Sequence, residues 1–222
     1  MTGPPYPYRG SWRIHQHREQ RPQKQTLSRQ SVPQNGQGIA GCGRAFARGY
    51  LMVSPSSLLG AAGEHFIMSA LLRRGFIAAL APVGVPMCDI VVTDDIGERL
   101  CAIQVKTRRA IGTDGGWHMR DKHETIVSPT LFYAFVDFGI DAFATPHVYL
   151  VPSATVAEVV RSSHQVWLAR PGKGGKPHRD GPTRRFLPSY NHLEMTQYPA
   201  GWLEKYRDAW ETLRQASNVE DA

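Results

Sequence analysis

The nine residues CAIQVKTRR, positions 101–109, restrict the chain most. Their alternation makes them a strand whose two faces need different surroundings. Cys101, Ile103, Val105 and Thr107 fall on one side, and Ala102, Gln104, Lys106 and Arg108 on the other. The first side suits a core. The second carries an amide and an ammonium side by side, with Arg109 following.

The flanking residues supply a sheet for this strand. Ser54-Pro55 predicts a helix entry, with the serine oxygen as N-cap acceptor and proline at N1, where its missing N–H is harmless. In the helix that follows, Leu59, Ala62, Gly63, Phe66, Ile67 and Ala70 recur at helical spacing as a buried stripe, and Gly75 stops it. Glu64 sits at the rim of that stripe. Runs at 76–82, 88–94 and 99–107 read as a three-stranded meander, the second turn containing Gly97. Segments 130–138 and 147–152 are apolar enough for central strands, and 153–163 reads as a helix with Ser153 as N-cap. Between them, 110–124 reads as a polar loop, and a second basic loop spans 169–185. The final amphipathic stretch, 201–216, predicts a helix with Leu203, Tyr206, Trp210 and Leu213 on one stripe, closing the domain.

Length and composition agree with an α/β body. A chain of 222 residues, 41% hydrophobic, supports one domain with a substantial core. The three cysteines show no CxxC or Cys/His metal spacing, which fits a reducing cytoplasm better than a disulfide scaffold. No window reaches the roughly 18 apolar residues of a membrane span. The net charge of +7 lies entirely in residues 1–50, which hold eight Arg or Lys against Glu19 alone, whereas 51–222 hold 18 bases and 18 acids. We read 1–52 as a disordered basic arm, 53–165 as the α/β core, and 166–222 as a basic loop plus a C-terminal helix packing on that core. The arm is either a tether for nucleic-acid phosphates or sequence upstream of a start at Met52.

Chemistry concentrates at the motif strand. Asp89 begins the second meander strand, and Gln104 and Lys106 point the same way near the end of the third, so antiparallel pairing brings all three to one patch. A carboxylate, an amide oxygen and a backbone carbonyl near Val105 are the hard ligands Mg²⁺ prefers. Lys106 would then adjoin a metal-bound water. The alternative for Gln104 and Lys106 is a solvated strand face. Asp89 alone could be a strand-entry cap, and Glu64 a flank carboxylate.

Helix Glu64, then Asp89-Ile-Val-Val, then Gln104-Val-Lys106 resembles the signature of the PD-(D/E)xK nuclease superfamily. That group includes restriction endonucleases, Holliday-junction resolvases and some group I intron homing endonucleases. The resemblance covers about residues 54–165 and implies a restriction-endonuclease-like core: a helix, a three-stranded antiparallel meander, a further strand and a helix. It also implies Mg²⁺ or Mn²⁺ on Asp89, Gln104 and Glu64, with Lys106 assisting the water that attacks a DNA phosphodiester. Gln104 replaces the usual acid and removes one negative charge from the site, which Glu64 or Asp94 would have to supply. A nuclease-fold module that binds nucleic acid or a protein without cleaving it is therefore the rival reading. Arg108, Arg109, Lys173, Lys176, Arg184 and Arg185 are candidate phosphate contacts. Many members of that superfamily dimerise; a homodimer is open here, as is packing of the Trp210 helix on its own domain.

Overall fold

A computed structural model describes residues 54–215, apart from 95, 98–99, 110–114 and 142. The arm expected over 1–52 lies outside the described residues. Ser54 caps helix α1 (Pro55–Leu72), its hydroxyl accepting from the Ser57 N–H at 3.1 Å with proline at the first helical position. Gly75, at φ 81°, turns the chain out of the helix. Strands β1 (Ile77–Leu80), β2 (Ile90–Thr93) and β3 (Leu100–Arg108) follow as the antiparallel meander. The four-residue strand β4 (Trp117–Arg120) leads into a 3-10 turn at Asp121–Glu124. Next come β5 (Leu131–Asp137), β6 (His147–Pro152) and helix α2 (Ser153–Ala169). The main sheet runs β1-β2-β3-β5-β6, with β5 parallel to β3 and antiparallel to β6. This is the restriction-endonuclease-like α/β arrangement.

The sheet is buried on both faces because alternate residues of its central strands feed two cores. Cys101, Ile103 and Val105 of β3 join Phe132, Ala134 and Val136 of β5 and Ile67 and Leu71 of α1. Tyr133 and Phe135 of β5 face Val156, Val159 and Val160 of α2. Contact with α1 is close: a Cβ on Gly63 would stand 2.0 Å from the Thr107 hydroxyl oxygen. A side chain at position 63 would therefore lift the helix, and neighbouring Glu64 with it.

Four expectations need correction. Ser153 lies inside α2, not at its N-cap, because its hydroxyl instead donates to the Ser128 carbonyl at 2.8 Å and accepts from the Ser128 N–H at 2.9 Å. Ala62 is exposed, so the buried stripe of α1 runs through Gly63, Ile67, Ala70 and Leu71. The two loops are not merely polar connectors: β4 from the first pairs antiparallel with β7 (Thr183–Phe186) from the second, making a small sheet over α2 and β5.

The helix expected over 201–216 is broken. Only a 3-10 turn at Glu204–Tyr206 and one short helix, α3 (Thr212–Gln215), form there. Trp202 and Leu203 belong to the α2-side core, whereas Trp210 and Leu213 belong to the α1-side core. The segment therefore crosses the β6 edge of the sheet, bridging Tyr149 through Arg207 and donating from the Asp208 N–H to Val148. One straight helix cannot feed both faces. Among the described residues no helix is long and apolar enough to cross a membrane.

Candidate active site at the open edge of β3

β2 stops pairing with β3 at Ile90, opposite Ile103, while β3 runs on to Arg108 beside β5. The Ala102 N–H bonds to Thr130 and the Arg108 carbonyl to Phe138, so the even residues of β3 bond towards β5. By alternation Val105 presents both its N–H and its C=O to the side that β2 has vacated. A ladder donor left without a strand needs another partner. Asp89 provides it: its backbone N–H bonds the Ile103 carbonyl at 2.9 Å, and its Oδ2 accepts from Val105 N–H at 2.7 Å.

The same Oδ2 accepts from the Gln104 amide nitrogen. Asp89 and Gln104 are thus in direct contact, on the sheet face that also carries Lys106. Gln104 is buried, Lys106 half-buried. Burial pulls the Lys106 ammonium below its ordinary range, an effect that Asp89 and Glu64 oppose and Lys122 reinforces. Among the described residues no hydrogen bond or ion pair engages it. Glu64, from the helix on the other face, has its carboxyl raised first by burial and then by Asp89, against a lowering by His65 and Lys106. The two faces therefore meet electrostatically where β2 ends. Asp94 does not take part: it follows the far end of β2, five residues and so about 16 Å from Asp89, beside a small pocket with Phe76 and Cys101.

Asp89, the Gln104 amide and the Val105 backbone supply the oxygen donors that meet here, and Glu64 is linked to them through its electrostatic interaction with Asp89. Among the described residues no group of three or more His, Cys, Asp or Glu is placed to hold a metal ion. All four donors are hard oxygens of the kind a divalent alkaline-earth cation accepts, with one formal negative charge fewer than three acids would give.

The basic residues divide. Arg108 forks onto the Asp137 carboxylate at 2.6 and 2.9 Å and lies 4.2 Å over the Trp117 ring, so its charge is used within the fold. Arg184 is buried: it pairs with Glu124 and donates to the carbonyls of Gly181 and Thr183. Expected on a mobile loop, it instead pins β7 to the turn after β4. Arg109, Lys173, Lys176 and Arg185 are exposed, although Arg109 donates to the Ile140 carbonyl at 2.9 Å.

His123, expected to be a loop residue, is 3% exposed, and its Nδ1 stands 2.7 Å from the Tyr133 hydroxyl. Burial, with Lys106 and Lys122 nearby, lowers its pKa from 6.5 to about 4. Tyr133 is the β5 partner of Gln104, so this imidazole backs the motif strand. The unfolded chain takes up the His123 proton below pH 6.5 and the folded protein only near pH 4. Folding stability should therefore be intact above pH 6.5 and fall by up to roughly 3 kcal/mol by pH 4. Urea midpoints across that range check it: His123→Gln should flatten the slope, and an unchanged slope would contradict the assignment.

No protein-family model matches the sequence, and no curated protein does. The structure is similar to that of a bacterial homing endonuclease, I-Ssp6803I, at 15% identity and a TM-score of 0.44, over 76% of this chain and 97% of that one. It is also similar to Hjc, a Holliday junction resolvase from the archaeal hyperthermophile Archaeoglobus fulgidus, at 16% identity and a TM-score of 0.34, over 58% of this chain and 83% of that one.

Proposed function

We propose that the chain is a metal-dependent endonuclease acting on DNA, and that the open edge of β3 is where it cuts. One observation carries this reading: Asp89, Gln104 and the Val105 backbone meet at a strand edge left unpaired, with a half-buried, unpartnered Lys106 on the same face. A solvated strand face would leave the lysine extended in water and Asp89 free of the Val105 amide.

Asp89, Glu64, the Gln104 carbonyl and the Val105 C=O would hold Mg²⁺ or Mn²⁺, which when bound supplies Lewis acidity and neutralises phosphate charge. The protein's own contribution is positional. Asp89 Oδ2 is fixed by two hydrogen bonds, and among the described residues no hydrogen bond engages its Oδ1. Lys106, short of solvation, donates hydrogen bonds to water or to a phosphate oxygen more strongly than a hydrated ammonium would. Its lowered pKa also brings it closer to a group able to accept a proton near neutrality. Arg109, Lys173, Lys176 and Arg185 supply exposed positive charge for the phosphate backbone.

The rival reading also has an observation of its own. The Gln104 amide nitrogen donates to Asp89, so the pair is satisfied without any cation, as a binding module that never cuts would require. Supercoiled, linear and branched DNA incubated with the purified chain separates the two. The endonuclease reading expects nicking in Mg²⁺ that stops in excess EDTA. DNA retained on the protein with no cleavage of any topology, in Mg²⁺ or Mn²⁺, would decide for the binding module.

A further inference from the structure

Lys122 is an exposed residue on a turn whose backbone is tied down on both sides of it. Before it, the Asp121 N–H donates to the Pro182 carbonyl at 3.0 Å, and the N–H of Lys122 itself donates to Asp121 Oδ1 at 2.9 Å. After it, His123 is buried against the Tyr133 hydroxyl, and Glu124 pairs with the buried Arg184. Only the lysine side chain is left free to swing.

Those anchors also fix where the side chain starts. Tyr133 and Phe135 of β5 pair with Gln104 and Lys106 of β3 and belong to the α2-side core, so the turn lies on the sheet face that carries Gln104 and Lys106. β2 and β5 flank β3 on opposite sides. Asp89 therefore reaches the motif strand from the β2 side, and Lys122 approaches it from the β5 side. The two lysines are close enough for the charge of Lys122 to act on Lys106, and it acts on His123 as well. Among the described residues no hydrogen bond or ion pair engages either ammonium. Of the two acids on the turn, Glu124 is taken by Arg184, and Asp121 gives Oδ1 to the Lys122 N–H.

Two like charges brought together with no acid between them repel. An anion placed across them turns that repulsion into two attractions. A phosphodiester carries one charge over two non-bridging oxygens, so it can accept from both ammonium groups at once. We propose that Lys122 is the second cation of the cutting site, and that it grips a phosphate of the strand being cut from the β5 side, opposite Asp89, with Lys106 between them. Naming DNA as the ligand rests on the nuclease reading; the contact of Lys122 with a phosphate does not require that any bond be broken. What Lys122 supplies is charge and reach. Arginine keeps both, and glutamine keeps only the reach.

The test uses the full chain in two measurements: binding of a short paired DNA duplex in EDTA over a range of salt, and nicking of supercoiled DNA in Mg²⁺ at saturating DNA. Lys122→Gln should flatten the slope of log affinity against log salt by about one, the share of one phosphate contact. It should also slow saturated nicking about tenfold, the scale of one hydrogen bond to a charged group. Lys122→Arg should keep the wild-type slope and most of the rate. Lys205→Gln removes an equal charge from the segment that crosses the β6 edge, and it should change neither. Lys122 is exposed, so neither of its variants should lower the melting temperature. A Lys122→Gln protein that matches the wild type in slope and rate, or is no more affected than Lys205→Gln, overturns the inference, while nicking by the wild type leaves the nuclease reading standing. An arginine variant as impaired as the glutamine one also overturns it, because charge would not be what the position supplies. If the wild type nicks nothing and Lys122→Gln alone flattens the slope, the nuclease reading fails and the phosphate contact stands.

Discussion

Lys106→Ala is expected to cut DNA nicking in Mg²⁺ by at least about a hundredfold, the scale set by removing one positioned proton-transfer or electrostatic group. The ammonium is half-buried, depressed by desolvation and without a hydrogen-bond or ion-pair partner among the described residues. Folding has therefore desolvated a charge that only the electrostatic attraction of Asp89 and Glu64 partly offsets, with the net effect still a lowered pKa. Its removal should leave the melting temperature unchanged or slightly raised, because the desolvation penalty goes with it. Binding of paired DNA should fall little, since Arg109, Lys173, Lys176 and Arg185 remain. That combination, lost cleavage with retained folding and binding, separates a catalytic lysine from a structural one. A variant that nicks like the wild type would remove Lys106 from the chemistry; one that loses fold and cleavage together would make it a structural residue.

Gln104→Glu should produce the second large effect, with opposite signs in the presence and absence of metal. In chelator the substitution replaces a donor to Asp89 with a second carboxylate in the same buried contact. The lost hydrogen bond and the like-charge contact should lower stability by about 1–3 kcal/mol. Mg²⁺ should restore that loss, because the added acid brings the site to three carboxylates with Glu64 and Asp89. The wild type, whose amide already satisfies Asp89, should gain much less. Thermal melts of both proteins in EDTA and in millimolar Mg²⁺ check this. A variant no less stable than the wild type in EDTA, or indifferent to Mg²⁺, would contradict it.

Local signals made much of this molecule legible in its sequence. Ser54, Pro55 and Gly75 bound α1 because caps and breakers act within a turn of their own position. The alternation of 101–108 fixed which side chains share a face, and a short turn fixed which strands are neighbours. What stayed hidden depends on residues far apart in the chain. β4 and β7 are four residues each, lie more than sixty positions apart, and have no periodicity long enough to stand out from polar loops. The stripe of 201–216 is real as a pattern of burial, but its two halves serve opposite faces of the sheet. Arg184 carries the same letter as exposed Arg185, and only the pairing with Met119 turns it inward. His123 looked like one more loop histidine; the Tyr133 hydroxyl that holds it comes from a different element.

At the candidate site the sequence supplied the residues but not the reason they meet. Spacing placed Asp89 beside Gln104. It could not show that β2 ends there, that Asp89 takes over the ladder bond of Val105, or that Asp94 is too distant to contribute.

Paramagnetic broadening of backbone amide signals by substoichiometric Mn²⁺ tests the central claim most directly. The account predicts that Val105 and its immediate neighbours on β3, together with Asp89, broaden first, and that Asp89→Ala removes the effect. Uniform broadening, or broadening centred on the acids around Asp94 or Glu194 with Val105 unaffected, would contradict it.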